Sequence, residues 1–274
     1  MTEHESETLR RRSELLWASD PRPARGPKRA LTSEDVVHAA IRLADREGLA
    51  ALTMQAVAQE VGFTAMALYR YFSSKEALID AIVDAAMGTP PPRTGSRGDW
   101  RQEVARWAHA KRAVLVARPW LAELPFVAAP HGPNFLIWLE GAVDALSGTG
   151  LGANDLFDML HVLDGYVRGG SDTSISLAKA RSRGMSDEEW GASIAADLAR
   201  AIADPRFPVL SALLTAQGQV RSAALTSGGE LMDALDEGFD RGLERVLDGI
   251  QSYMDARETK TLRGTKASRR RARR

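Results

Sequence analysis

The chain has 274 residues, 44% of them hydrophobic, which is enough for one large domain or two smaller ones, and it lacks the cysteines needed for disulfides or thiolate metal sites. Its formal net charge is +0, but basic residues cluster near both ends, so local attraction to phosphate is not excluded. The polar N-terminus does not resemble a signal peptide and no apolar run could span a bilayer, so we expect a cytoplasmic protein with no membrane partner.

Residues 1–30 are predicted to form a flexible basic arm, because prolines and glycine interrupt any long helix there. Within it, only residues 13–17 are spaced for a short helix. The basic residues that precede the first domain are Arg22, Arg25, Lys28 and Arg29. This cluster could neutralise phosphates if the neighbouring domain binds nucleic acid.

Apolar residues then recur at helical spacing, which predicts an all-α fold beginning with four short helices. Their expected starts are a capping box of Thr32 with Asp35, a cap at Thr53, a cap at Thr64 and a capping box of Ser73 with Glu76. The third helix is predicted over residues 65–72 and the fourth over residues 75–87. Only Gly62 and Phe63 separate the second helix from the third, which predicts a helix-turn-helix.

The third helix has two distinct faces. Leu68 and Phe72 point into the small domain, whereas the outward face carries Thr64, Ala65, Met66, Ala67, Arg70 and Tyr71. Small apolar side chains suit thymine methyl groups, and Arg70 can donate twice to guanine. We therefore expect this helix to enter the major groove of DNA.

Residues 88–98 are rich in proline, glycine and arginine and are predicted to link two domains. Longer helices follow, at residues 100–117, 133–146, 154–179, 186–203 and 229–255, with shorter pieces near Trp120 and at residues 209–216. The second domain is predicted over residues 98–256. Residues 257–274 are predicted to be a disordered basic tail, which could tether DNA or simply aid solubility.

The segment from Val61 to Leu78, VGFTAMALYRYFSSKEAL, resembles the core signature of the tetracycline-repressor (TetR) family, and the resemblance covers roughly residues 31–87. It implies a small three-helix DNA-binding domain joined by a connecting helix to a larger helical domain for ligand binding and dimerisation. It also implies a homodimeric transcriptional repressor that binds a palindromic double-stranded operator and is released by a small-molecule effector.

The resemblance also implies roles for individual residues. Thr53 would bind a phosphate and Gln55 a base edge. The expected base-facing residues are Thr64, Ala65, Met66, Ala67 and Arg70, and the expected phosphate contacts are Tyr69, Tyr71 and Lys75. Two positions depart from the usual pattern, because Tyr71 stands where histidine is more common and Ala67 where threonine or serine often contacts DNA.

The second domain is moderately similar to a recurrent form of the TetR C-terminal domain. Its aromatic and polar residues at helical spacing could line an effector pocket or fill a core, and both readings stay open. The candidate ligand contacts are Trp107, His109, Trp120, Phe126, Phe135, Trp138, Phe157, His161, Asp164 and Arg168. The resemblance implies that the helices at residues 154–179 and 229–255 form the dimer interface. Packing within one chain would also explain the apolar stripe of the second of these helices, which includes Phe239 and Leu243.

No catalytic motif is evident: the sequence lacks a His-Glu-x-x-His zinc motif and a phosphate-binding loop, and the glycine-rich residues 148–152 follow a helix rather than a strand. We therefore expect neither an enzyme nor a cofactor or metal site. Two alternatives remain: a DNA-binding dimer of the same fold with no effector, and a helical binding protein or enzyme whose helix-turn-helix is vestigial.

Overall fold

The computed structural model describes residues 3–17, 31–93, 99–124, 132–217 and 228–271. The described residues form helices and no strand, as the all-α prediction requires. In chain order the α-helices are α1 (Glu3–Trp17), α2 (Ser33–Glu47), α3 (Met54–Val61), α4 (Ala65–Leu68), α5 (Lys75–Met87), α6 (Trp100–Ala117), α7 (Pro133–Leu146), α8 (Ala153–Ser182), α9 (Asp187–Ala203), α10 (Pro208–Gln217) and α11 (Gly228–Arg271). A short 3₁₀ segment, Pro119–Glu123, follows α6.

Helices α2 to α5 form the small N-terminal bundle that the sequence predicts. Thr32 and Asp35 close the expected capping box: the Asp35 amide donates to the Thr32 hydroxyl at 3.0 Å, and the Thr32 amide donates to the Asp35 carboxylate at 3.2 Å. Helix α5 has the predicted bounds, but its cap differs from prediction, because the Ala77 amide donates to the hydroxyl of Ser74 rather than Ser73. The bundle is filled by apolar side chains, among them Val36, Ala40, Leu52, Val57, Leu68, Phe72, Leu78 and Ile82.

Residues 3–17 correct the prediction of a flexible arm, because they form helix α1, which packs on α5. The guanidinium of Arg12 donates to both carboxylate oxygens of Asp80, at 2.5 and 2.6 Å. Burial raises the pKa of the Asp80 carboxyl, and the Arg12 guanidinium opposes that shift. The sequence periodicity predicts only residues 13–17 as helix, and it gives no sign of the pairing between Arg12 and Asp80, which are 68 residues apart. Arg22, Arg25, Lys28 and Arg29 lie outside the described residues.

Helix α5 is joined to α7 by a side-chain cap. The Asp84 carboxylate accepts hydrogen bonds from the amides of Asn134 and Phe135, at 3.2 and 2.9 Å, and so satisfies the first turn of α7. A Cβ at Gly132 would lie 2.3 Å from the Asp84 carboxyl carbon, so only glycine allows this approach. Sequence analysis did not identify this cap, because the two segments are 50 residues apart.

Contacts divide the chain into two compact units, one ending at Gly148 and one beginning at Thr149. The linker predicted at residues 88–98 therefore lies inside the first unit, because α5 and α6 both pack on α7. The functional boundary at that linker stays a prediction. Among the described residues, no helix has the length and apolar content required to cross a membrane.

The second unit contains α8 to α11, with α11 packed along α8. Phe239 and Leu243 are each only 2% exposed within this single chain, so the stripe expected at a subunit interface is an intramolecular core. Gly242 lies against α8 as well, where a Cβ would lie 2.3 Å from the Tyr166 hydroxyl oxygen. The tail prediction is also wrong in part, because α11 continues to Arg271.

Candidate DNA interface

The turn between α3 and α4 is built by local hydrogen bonds. Gly62 ends α3 in the left-handed conformation, with φ of 73°, and the Phe63 amide donates to the Ala58 carbonyl at 2.9 Å. Thr53 and Thr64 cap the two helices by accepting from the amides of Ala56 and Ala67, at 3.0 and 3.3 Å. The predicted helix-turn-helix is therefore present, with both of its helices capped by threonine.

Helix α4 is shorter than predicted, since it ends at Leu68 and residues 69–71 form a turn. Leu68 and Phe72 are buried, as expected, and anchor the segment in the bundle. The opposite side is open: Met66 is 77% exposed, and Arg70 and Thr64 are exposed as well. Ala65 and Ala67 are half-buried. Phe63 and Tyr69 are exposed near Met66, and a group of exposed large apolar side chains is typical of a surface that binds a partner.

The two candidate phosphate-binding tyrosines differ in their surroundings. Tyr69 is 47% exposed and lies at the surface. Tyr71 is half-buried, and its hydroxyl donates to the Leu31 carbonyl at 2.6 Å. Its hydroxyl proton is therefore already used within the bundle, which weakens the expected role of Tyr71 in binding phosphate. Sequence reasoning could not have identified Leu31, which is 40 residues away.

Three other residues near the turn have a polar group available. Gln55 and Thr53 are exposed at the start of α3. The Thr53 hydroxyl oxygen accepts the capping bond, which leaves its O–H free to donate to a phosphate. Lys75 is half-buried in the first turn of α5. The nearby cation Arg46 differs from these residues, because its guanidinium pairs with Glu47 and Glu60.

The three tryptophans proposed as ligand contacts are buried in the first unit. The Trp107 indole N–H donates to the Trp138 carbonyl at 3.0 Å, and Trp138 donates to the carbonyls of Met87 and Gly88. Trp120 donates to the Asp45 carboxylate at 2.7 Å. These contacts favour the core reading for all three rings. A cleft of about 300 Å³ between α6 and α7 has only Trp107 of the predicted set in its lining.

The other proposed ligand contacts are divided between the two units. In the first unit His109 is exposed and Phe135 is half-buried, whereas Phe126 lies outside the described residues. In the second unit, Phe157 and His161 are exposed on α8, and Asp164 and Arg168 are half-buried. Within the part of the chain that the structure describes, no group of three His, Asp or Glu side chains is placed to hold a metal ion.

Comparison with known proteins identifies both halves of the chain. The sequence model of bacterial regulatory proteins of the tetR family matches residues 36–82, and that of the tetracyclin repressor-like C-terminal domain matches residues 91–254. The HTH-type transcriptional repressor DrrR1 of Streptomyces coeruleorubidus is 32% identical over 249 residues, which cover 89% of this chain and 86% of the relative.

Solved structures agree with this result. A possible TetR family transcriptional regulator from Streptomyces coelicolor A3(2) is 30% identical, with a TM-score of 0.60 over 81% of this chain and 99% of that one. ActR from Streptomyces coelicolor, solved in complex with (S)-DNPA, has a TM-score of 0.63 over 82% of this chain and 99% of that one. At 22% identity, the second likeness shows the fold alone.

Proposed function

Because the chain belongs to the tetracycline-repressor (TetR) family and is therefore a DNA-binding transcriptional regulator, we propose that it acts as a homodimeric repressor that a small molecule releases from a palindromic operator. The observation that carries the proposal is the exposed face beside a helix-turn-helix with Thr53 and Thr64 as helix caps. The proposal includes action in the cytoplasm and no catalytic activity.

In this proposal the DNA contacts fall into two classes. The residues that face base edges are Gln55, Thr64, Ala65, Met66, Ala67 and Arg70. Thr53, Tyr69 and Lys75 bind phosphates and set the position of the helices along the duplex. Tyr71 is assigned a different role from the one first expected: its bond to Leu31 fixes the turn after α4 against the start of α2.

Dimerisation is proposed through the surface that α8 and α11 leave exposed. Gly165 and Gly169 lie inside α8, and a Cβ at either would meet nothing within 4 Å; the same is true of Gly249 in α11. Each such glycine lowers helix stability by roughly 1 kcal/mol relative to alanine, and packing within this chain does not explain why glycine stands there. Close approach of the same helices from a second copy would explain these glycines. Val162, 51% exposed on α8, lies on the same face as Gly165 and Gly169.

Release by an effector requires that ligand binding change the geometry of the dimer. The two recognition segments must sit about one DNA turn, ~34 Å, apart to occupy successive major grooves. We propose that an apolar or amphipathic effector shifts the 3₁₀ segment Pro119–Glu123 and thereby changes this spacing. The ten candidate ligand contacts stay predictions, and the buried tryptophans among them are better suited to holding the core than to touching ligand.

Two measurements test the proposal. In an electrophoretic mobility shift experiment, the purified chain should bind DNA that flanks its own gene. The double variant Met66→Asp, Arg70→Ala keeps both threonine caps but loses two proposed base contacts, so it should not bind that DNA. Absence of a shift at any concentration would reject the DNA-binding role. A thermal-shift screen of small molecules should then find one that raises Tm and abolishes the shift, because a ligand at 100 times its Kd stabilises the folded state by ~2.7 kcal/mol. Ligands that stabilise without releasing DNA would reject the effector mechanism.

A further inference from the structure

The 3₁₀ segment Pro119–Glu123 is bonded to the DNA-reading bundle through one carboxylate. The Trp120 indole N–H donates to Oδ1 of Asp45 at 2.7 Å, and the Arg118 guanidinium lies 3.5 Å from Oδ2 of the same side chain. Asp45 belongs to the last turn of α2. One oxygen of this α2 side chain accepts the Trp120 hydrogen bond, and the other faces Arg118 across a longer ion-pair distance.

The Trp120 side of this contact is anchored in the core, whereas the Asp45 side chain is 38% exposed. The Trp120 ring is buried, and Leu121 beside it is fully buried, so the segment is fixed in the core on one side. Arg118 also donates to the Ala86 carbonyl at 3.2 Å, near the end of α5. Asp45 is therefore the α2 residue that this buried segment contacts through Trp120.

Helix α2 in turn packs directly on α3 and on α5. Direct contacts therefore lead from Trp120 through Asp45 and α2 to α3, whose cap is Thr53 and whose first turn holds Gln55, without including α5. Coupling between distant sites needs a contiguous physical connection whose arrangement both sites can bias. The hydrogen bond from Trp120 to Asp45 is the contact that begins this path.

We propose that Asp45 is a positioning residue that couples the 3₁₀ segment Pro119–Glu123 to the DNA-reading helices through its hydrogen bond with Trp120. The proposal rests on the proposed function, since it requires that the bundle bind an operator. Coupling between two sites acts in both directions. If movement of Trp120 changes operator affinity, then operator binding must also change the surroundings of Trp120.

The coupling is first tested by affinity. Asp45→Ala and Trp120→Phe should each change operator affinity by ~5-fold or more, the lower end of measured couplings between sites. The double variant should change it no further than the larger single effect, because both substitutions remove the same bond. Asp45→Asn retains an oxygen acceptor for Trp120 and should restore most of the affinity. The matched control is Glu47→Ala, which removes an exposed carboxylate from the same end of α2 and should have little effect.

A spectroscopic readout separates coupling from a merely structural role. The chain has six tryptophans, which can be replaced by 5-fluorotryptophan and observed by ¹⁹F NMR. The resonance that is missing from the spectrum of Trp120→Phe is assigned to Trp120. Saturating operator duplex from the shift experiment should move this resonance in the original chain and in Glu47→Ala, but not in Asp45→Ala. If the Trp120 resonance does not shift when operator is added, or shifts equally in Asp45→Ala, the proposed coupling is overturned while DNA binding remains intact. Failure of the original chain to bind any duplex overturns the proposed function instead, and the coupling with it.

Discussion

Arg70 and Lys75 are expected to make different kinds of DNA contact. Arg70 is exposed in the turn after α4, on the side proposed to face bases, whereas Lys75 lies in the first turn of α5. Arg70→Ala should lower the preference for operator over random DNA by ~1–3 kcal/mol, the value of a good base contact. Lys75→Ala should weaken both kinds of binding about equally and reduce the salt slope by ~0.9 per subunit. Competition binding at several salt concentrations measures both effects, and an equal loss of specificity in the two variants would contradict the assignment.

The two neighbouring tyrosines give a second test at the same scale. Tyr71→Phe removes the donor to the Leu31 carbonyl and should cost ~0.5–1.5 kcal/mol of stability with no change in salt slope. Tyr69→Phe removes an exposed hydroxyl, so it should leave stability unchanged and weaken operator binding. Urea unfolding and DNA titration of both variants decide between these roles. A normal stability in Tyr71→Phe, combined with weaker DNA binding, would return Tyr71 to the phosphate-binding set.

Helix α1 provides a test at the scale of elements. Asp80 is buried against Arg12, so Arg12→Ala leaves a buried carboxylate without this partner and should destabilise the first unit by ~1–3 kcal/mol. The control is Arg11→Ala, one position earlier, whose exposed side chain pairs with Glu7 of the same helix. That control should change stability by less than ~0.5 kcal/mol. Equal unfolding midpoints for the two variants in urea would mean that α1 does not stabilise the bundle.

The elements that sequence analysis predicted well are those that local signals determine. Capping residues such as Thr32 and Ser186, each of which closes a capping box with the residue three positions later, fix helix starts within a few residues of sequence. The elements that it predicted poorly depend on distant partners. Helix α1 packs on α5 and its Arg12 pairs with Asp80, and the turn after α4 is held by the bond from Tyr71 to Leu31. A window of local sequence does not contain these partners.

At the scale of the whole molecule, apolar periodicity indicates that a helix face is buried but not which chain buries it. The stripe that includes Phe239 and Leu243 illustrates this limit, since it fits a subunit interface and an internal core equally well in sequence. Because this stripe is buried within one chain, the interface is proposed instead on the opposite surface of the same two helices. The exposed glycines of α8 and α11 support that proposal, because a Cβ at Gly165, Gly169 or Gly249 would meet nothing within 4 Å in this chain.

The last prediction separates these two faces. Val162→Arg adds charge and bulk to the exposed face of α8, so it should give folded monomers that no longer hold a palindromic operator, because an unpaired charge buried at an interface costs several kcal/mol. Phe239→Glu places a carboxylate in the core between α8 and α11, so it should unfold the second unit rather than give folded monomers. Light scattering measures the assembly and far-UV circular dichroism the helix content. A Val162→Arg chain that stays dimeric would place the interface elsewhere, and a folded, monomeric Phe239→Glu chain would return it to the Phe239 stripe.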